Sequence, residues 1–256
     1  MLIAINFVFV DNRFMDKYAK LKEIISKSKH LVVFSGAGIS VPSGIPDFRS
    51  ANGIYSEKFE RIYSPEQIIS RSFFDSNPEE FYRFYKAKMM YLEAKANSAH
   101  TYFADLENKG KDVSIVTQNI DGLHQLAGSK KVYELHGSIY RNYCLNCGTF
   151  YNASYIKNCP TDLPLCPKCG GLIKPDVTLY EEQLNEDVID KAINALRKAD
   201  TCIVIGTSLI VYPANTFLRY FGGNHLIYIN KSKTAYDDMA EIVFNEDCID
   251  VINKIK

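Results

Sequence analysis

Cys144, Cys147, Cys166 and Cys169 form two Cys-x-x-Cys pairs with 18 residues between them. This is the spacing of a tetrahedral four-thiolate zinc site, in which backbone amides of each knuckle support two sulfurs. Four thiolates leave no open coordination position, so a metal held there is structural. Coincidental surface cysteines are the rival reading, and Cys159, between the pairs, reads as a spare thiol.

Gly36-Ala37-Gly38-Ile39-Ser40 follows a short apolar run. Glycines there let the backbone approach a pyrophosphate, and amides at the next helix start can donate to it. The third glycine of a full Gly-x-Gly-x-x-Gly fingerprint is absent, no acidic residue clearly takes the ribose-binding role, and a plain tight turn reads the same way. Gly44-Ile45-Pro46-Asp47-Phe48-Arg49 sets an aromatic between opposite charges, which suits a loop folding over a cofactor and equally a surface loop. Thr117-Gln118-Asn119-Ile120-Asp121 offers amide and carboxylate groups that can pair with ribose hydroxyls or a carboxamide. A lone histidine is commonly a satisfied structural one, but His136-Gly137 shares its setting with these polar ends, which shifts it toward a general base. His30, His100, His124 and His225 lack that combination and read as structural. Gly206-Thr207-Ser208 and Asn230 add two more polar ends.

To carry these groups, the apolar runs Leu31–Phe34, Val113–Thr117, Val132–Leu135, Cys202–Ile205, Leu226–Ile229 and Ile242–Phe244 are expected to be strands. Helix-compatible segments alternate with them, notably Met15–Lys29 and Asn185–Lys198. The alternation predicts an α/β protein with a parallel sheet covered on both faces. Five polar strand ends along one edge of that sheet describe a nucleotide site. Two stretches break the rhythm. Residues 51–100 are aromatic and helical, with Asn77 as a cap, Pro78 in the first turn, and a stripe of Phe81, Phe84, Tyr85, Met89 and Leu92. Residues 138–174 hold the cysteines and too little apolar material for a core of their own, a lack that a metal makes good.

The 256 residues suffice for one large domain with a smaller lobe. Lys plus Arg equals Asp plus Glu at 30 each, so no bulk field favours a polyanion and neither nucleic acid nor membrane is expected as partner. Seven cysteines without an export signal suit a reducing compartment, hence the cytoplasm. Met1–Val10 is apolar but too short to span a bilayer, and it lacks a basic start and a small-residue cleavage site. An arm, an added segment or an upstream start all fit residues 1–14.

Taken in order, Gly36–Ser40, Gly44–Arg49, Thr117–Asp121, His136-Gly137, the cysteine pairs, Gly206–Ala214 and Ile229-Asn230 resemble the sirtuin family, in its short bacterial-type form. The resemblance covers roughly residues 15–256. It implies a Rossmann-like NAD-binding domain built from residues 1–50, 101–137 and 175–256. It also implies a small domain made of the helical insertion 51–100 and a zinc ribbon, 138–174. The implied activity is NAD-dependent removal of acyl groups from protein lysines, yielding free lysine, nicotinamide and O-acyl-ADP-ribose. Protein mono-ADP-ribosylation on the same fold is the alternative, and a non-catalytic zinc-ribbon binding module a lesser one. Carried over residue by residue, Ala37, Gly38, Ile39, Ser40 and Val41 would meet the phosphates and adjacent ribose. Asp47, Phe48 and Arg49 would lie in the loop over the cofactor, with Phe48 shielding the reacting centre. Gln118 and Asn119 would address the nicotinamide ribose side, and Ile120 and Asp121 the carboxamide. Gly206, Thr207, Ser208, Asn230 and Lys231 would bind the adenosine half, with Cys248 and Ile249 near the adenine. His136 would take the proton relayed by ribose hydroxyls, with Asn119 beside it as a catalytic group. The acyl-lysine strand would run between Val177, Thr178, Leu179, Tyr180 and Glu181 on one side and Leu209, Ile210 and Val211 on the other.

Several positions depart from the family pattern. Glu181 stands where a glycine is usual and brings negative charge to the peptide channel, which predicts a preference for basic neighbours. Thr178 replaces a more common valine, Val41 a threonine, and Ala96 a proline. Members that prefer succinyl or malonyl groups carry Tyr-x-x-Arg where this chain has Tyr82-Arg83-Phe84-Tyr85, so uncharged acyl groups, acetyl first, are expected.

Overall fold

The central apolar runs are strands because both of their faces are buried. The computed structural model describes residues 16–48, 53–54, 63–210 and 212–256. In chain order the strands begin with β1 (His30–Ser35), β2 (Asp112–Thr117), β3 (Val132–Glu134), β4 (Gly137–Cys144) and β5 (Phe150–Asn152). They continue with β6 (Ile173–Val177), β7 (Thr201–Ile205), β8 (His225–Ile229) and β9 (Ile242–Phe244). The helices are α1 (Lys17–Lys27), α2 (Pro65–Ile68), α3 (Arg71–Ser76), α4 (Pro78–Lys88) and α5 (Ser98–Asn108). After them come α6 (Leu123–Leu126), α7 (Ala153–Lys157), α8 (Glu186–Lys198) and α9 (Cys248–Ile255).

Six of these strands make one parallel sheet in the order β3-β2-β1-β7-β8-β9. Alternate residues feed two cores, as the period of a strand requires. Leu31, Val33, Ile115, Ile203 and Ile227 pack against α1, α5 and α9, through Leu21, Phe103 and Val251 among others. Val32, Phe34, Val116, Val204 and Tyr228 face the opposite way, onto Ala192 and Leu196 of α8 and onto Phe217. The strand order reverses between β1 and β7, and in such sheets the crevice at the carboxyl ends of the two central strands is where ligands bind.

A second, antiparallel sheet has the order β5-β4-β6. Its buried side chains, Ile139 and Ile173 among them, share one core with Ile156 of α7 and with Phe74, Phe81, Tyr82 and Tyr85 of the helical insertion. Apolar residues that could not form a core within the ribbon thus find one by pooling with the insertion. His136 lies between β3 and β4, so the chain passes from the large sheet to the small one at the imidazole itself. Gly137 makes this step possible. Its φ is +76°, and a Cβ there would lie 1.9 Å from the Asp176 carbonyl oxygen.

Two expectations need correction. Asn77 precedes α4 but its side chain makes no capping bond; the amide nitrogen donates to Ser76 Oγ at 3.1 Å instead. Pro78, Glu79 and Glu80 still open the helix. The glycine-rich loop after β1 does not enter an α-helix; it winds through two 3-10 turns, Ala37–Ile39 and Val41–Ser43, whose amides are partly spent on internal bonds.

Candidate active site and cysteine cluster

The loops that follow β1 and β7 touch backbone to backbone. Gly36 N–H donates to the Ile205 carbonyl at 3.1 Å and Gly38 N–H to that of Gly206 at 2.8 Å. A Cβ on Gly38 would sit 2.7 Å from Gly206 Cα, so glycine is required here for close approach. The chain places Ala37, Gly38, Ile39, Ser40 and Val41 directly over the β1/β7 reversal, beside Gly206 and Thr207.

A polar cluster closes over this loop from the end of β2. Ser40 Oγ donates to Asp121 Oδ2 at 2.7 Å, and Asn119 Nδ2 donates to Ser40 Oγ at 3.1 Å and to the Gly36 carbonyl at 3.2 Å. Leu123 N–H donates to the other Asp121 oxygen at 2.9 Å. All three side chains are buried, and burial pushes the Asp121 carboxyl above the usual range although the Ser40 and Leu123 bonds oppose it. Gln118 Nε2 reaches across to Thr207 Oγ1 at 3.1 Å, tying the β2 and β7 ends together. Ile120 packs against the core of the smaller sheet.

His136 Nδ1 bonds the Gln118 carbonyl at 2.9 Å. A carbonyl only accepts, so Nδ1 carries the hydrogen and Nε2 of the neutral ring presents a lone pair. Burial holds the imidazole pKa below its ordinary value, with the Gln118 bond opposing. The carbonyl of His136 in turn accepts from Thr178 N–H at 3.0 Å, which fixes the start of the segment after β6.

A buried layer beneath this cluster was not legible as functional in the sequence. Ser35 Oγ donates to Thr117 Oγ1 at 2.9 Å, and the same oxygen accepts from Asn119 N–H at 3.1 Å. His124 Nε2 lies 2.9 Å from Ser35 Oγ, whose proton is committed, so His124 is the donor. His100 meets His124 edge-on with ring centroids 4.8 Å apart, and its Nδ1 accepts from Asn97 N–H at 3.3 Å. His100 Nε2 and His124 Nδ1 find no partner among the described residues. Burial lowers the pKa of His100 to about 4 and that of His124 well below the ordinary value, the latter also feeling His100. Asn97, the cap of α5, donates from Nδ2 to the Ile39 carbonyl at 2.8 Å and to Ser43 Oγ at 2.9 Å. The layer therefore supports the glycine loop at one end and Asn119 at the other.

The remaining expected residues spread along the same edge. Asn230 N–H donates to the Phe244 carbonyl at 3.0 Å, and Lys231 pairs with Asp247 at 2.8 Å. Cys248 opens α9 with its sulfur 4.0 Å from the Gly38 carbonyl, and burial pushes the thiol up to about 12. Ile249 packs partly buried against the sheet core, and Ser208 is exposed. Phe48 packs against the smaller core, and the Asp47 carbonyl accepts from Ile54 N–H at 2.8 Å. Arg49 and Val211 lie outside the described residues.

Val177 pairs with Gly137, and the segment after it runs through Thr178, buried Leu179, and exposed Tyr180 and Glu181. Among the described residues, Glu181 (φ 75°) and Leu209 (φ 55°) are the non-glycine positions with left-handed backbone. Each costs on the order of 1 kcal/mol, and such strain gathers at functional sites. Both lie in the two segments expected to flank a peptide, with Ile210 63% exposed beside Leu209.

The four sulfurs of Cys144, Cys147, Cys166 and Cys169 all lie within 4.8 Å of one another. A tetrahedral zinc with sulfurs at about 2.3 Å needs edges of about 3.8 Å, so the donor set and its spacing fit that ion. Each knuckle is closed by its own amides: Gly148 N–H donates to the Cys144 carbonyl at 2.9 Å and Gly170 N–H to that of Cys166 at 2.8 Å. Cys159, apart from this group, is half-buried beside Thr161.

Residues 36–213 match the Sir2 family. The chain belongs to that family. An NAD-dependent protein deacetylase of Clostridium perfringens is 55% identical to this Sir2 chain over 94% of it and 98% of the relative. One from Clostridium acetobutylicum is 52% identical over the same shares. A solved Sir2 with deacetylated p53 peptide and 3'-O-acetyl ADP-ribose shares 40% identity and a TM-score of 0.84, over 92% of this chain and 96% of its own. Another, bound to a propionylated peptide, gives 38% identity and a TM-score of 0.82, over 94% and 97%.

Proposed function

We propose that this Sir2 chain is an NAD-dependent protein-lysine deacylase, with acetyl-lysine peptides its first substrates and free lysine, nicotinamide and O-acyl-ADP-ribose its products. One observation carries this reading: the neutral imidazole of His136 donates from Nδ1 to the Gln118 carbonyl, the peptide bond that leads into Asn119, and so keeps Nε2 as an acceptor. Relatives of the same name and solved Sir2 structures holding NAD with p53 peptide, or a propionylated peptide, support it.

NAD, when bound, supplies a sugar carbon from which nicotinamide can depart. Ala37 to Val41 would hold its phosphates, and Gly206, Thr207, Ser208, Asn230, Lys231, Cys248 and Ile249 its adenosine half. Gln118, Asn119, Ile120 and Asp121 would orient the nicotinamide half, with Asp47, Phe48 and Arg49 covering it so that water stays out. His136 Nε2 would accept a proton from the ribose hydroxyls of bound NAD. Val177 to Glu181 and Leu209 to Val211 would lend backbone groups to an extended acyl-lysine peptide, a pairing that reads little of its sequence. Cys144, Cys147, Cys166 and Cys169 would hold zinc as a staple for the ribbon, away from the chemistry. Residues 1–50, 101–137 and 175–256 form the NAD-binding domain on this reading, and 51–100 with 138–174 the small one. Among the described residues no helix is long and apolar enough to cross a membrane. The free cysteines suit a reducing compartment, and on that ground we place the protein in the cytoplasm.

Mass spectrometry of an acetyl-lysine peptide incubated with and without NAD, beside a His136→Ala variant, tests the proposal. Acetyl loss that requires NAD, coupled one-to-one to nicotinamide release and nearly absent in the variant, is expected. Acetyl loss without NAD, or equal turnover by the variant, would overturn it.

A further inference from the structure

The geometry points to Glu181 as a positioning residue that clamps the peptide-flanking segment to the helical insertion, an inference that rests on the deacylase reading of this cleft. A negative charge at this place would be expected to face the peptide channel. Instead the carboxylate turns to α3: Oε2 accepts from Ser72 N–H at 2.8 Å and Oε1 from Ser72 Oγ at 3.0 Å. Ser72 stands in the first turn of that helix, where backbone amides lack partners within the helix. The carboxylate thus answers a donor that the helix leaves open.

The neighbouring backbone is tied to the same place. Arg71 N–H donates to the Tyr180 carbonyl and Tyr180 N–H to that of Ile69, both at 3.0 Å, which makes a parallel bridge between Ser70 and Tyr180. The backbone N–H and carbonyl of Tyr180 are therefore both taken up by the insertion. Glu182 reinforces the seam, accepting from Arg71 at 3.1 Å, from Lys174 at 3.1 Å and from Leu179 N–H at 2.9 Å.

The backbone at Glu181 is left-handed (φ 75°), a conformation that favours glycine. A glycine adopts that φ freely but contributes no bond. Glutamate resists it, and the two bonds to Ser72 offset that resistance and keep the segment in one conformation before any peptide arrives. The charge acts on the fold of the cleft wall and not on the peptide's own charges.

Three variants separate this role from direct charge recognition: Glu181→Gln, Glu181→Ala and Glu181→Gly. They are assayed on acetyl-lysine peptides with acidic, neutral and basic flanks, and by amide hydrogen exchange of residues 69–74 and 178–182 without substrate. Glu181→Ala is expected to raise the peptide KM about tenfold for all three peptides, the worth of a charge-assisted hydrogen bond. Ser72 should exchange faster, while the KM for NAD holds. Glu181→Gln should recover part of the loss through its amide oxygen, and Glu181→Gly, free of strain but without an acceptor, should not. Exchange at Ser72 unaltered in Glu181→Ala, or KM changes that sort by peptide charge, would overturn the clamp. A parent protein with no NAD-dependent turnover would sink the deacylase reading, and the exchange data would still decide the clamp.

Discussion

His136 Nδ1 and the Gln118 carbonyl oxygen stand 2.9 Å apart, and this one bond decides which ring nitrogen is free. Because Gln118 also spans to Thr207 at 3.1 Å, the residue that orients the imidazole belongs to the same contact that joins the β2 and β7 ends. Orientation of the imidazole and joining of the two strand ends are a single structural event.

A base must be unprotonated to act, and burial holds the pKa of His136 below 6.5. The neutral form therefore persists to lower pH than a free imidazole allows. The acid limb of the rate profile under kcat/KM conditions should have its midpoint below pH 6.5, and it should vanish in His136→Ala, whose residual rate should be about 10²–10⁴-fold lower. A limb at or above 6.5 in the parent would assign the titration to another group.

Buried histidines make stability depend on pH in a definite direction. In the native state His100 has a pKa of about 4 and His124 lies well below 6.5, whereas unfolded imidazoles titrate near 6.5. Between these values the unfolded chain binds more protons, so stability is whole above about pH 6.5 and declines as the pH falls toward 4. Each histidine adds up to about 1.4 kcal/mol per pH unit to that slope. Tm measured at intervals from pH 7.5 to 4.5 should fall, and a His100→Asn variant should show a shallower fall from its own pH 7.5 value. Parallel curves would remove His100 from the account.

The large sheet was legible because its strands are buried on both faces: Leu31–Phe34 and Cys202–Ile205 read as unbroken apolar runs, and the two cores take alternate residues. His136, Asn119 and Asp121 stood out because each follows such a run. Contacts between distant segments left no trace in local pattern. Asn97 capping α5 while holding Ile39, and His124 supporting Ser35, depend on residues tens of positions apart. Asn77 had the right residue type for a cap, but its amide was drawn to Ser76, a competition that residue type alone does not reveal. Glu181 was visible as an unusual residue, and its charge was expected in the channel; only Ser72 in place showed where it goes.

Removing zinc should dismantle the small sheet before it affects anything else. Cys144 and Cys166 are buried in the core shared with Phe81 and Ile173, so separating the four sulfurs opens that core. Chelation is expected to cause slow loss of activity in step with loss of aromatic circular dichroism, and Cys166→Ser should lower Tm and metal content together. Instant inhibition with unchanged spectra would give the metal a part in the chemistry.

Acyl-chain choice follows from where the insertion places its tyrosines. Tyr82 and Tyr85 are fully enclosed, Tyr85 stacked on Phe81 with centroids 5.5 Å apart and Tyr82 donating its hydroxyl to the Ile173 carbonyl. Arg83 points out to Glu80 at 2.8 Å with its side chain 55% exposed. Neither Arg83 nor the two tyrosines therefore offers a cation to an acyl carboxylate, and an unpaired charge in an apolar site is heavily penalised. Acetyl and propionyl peptides should be turned over at least about tenfold faster than succinyl peptides at equal concentration, a gap of about 1.4 kcal/mol that one unpaired charge readily exceeds. Tyr82→Phe should leave this ranking intact while lowering stability by about 1–3 kcal/mol, because the Ile173 carbonyl loses its buried donor. Equal rates for succinyl and acetyl peptides would mean that some other cation reaches the acyl group.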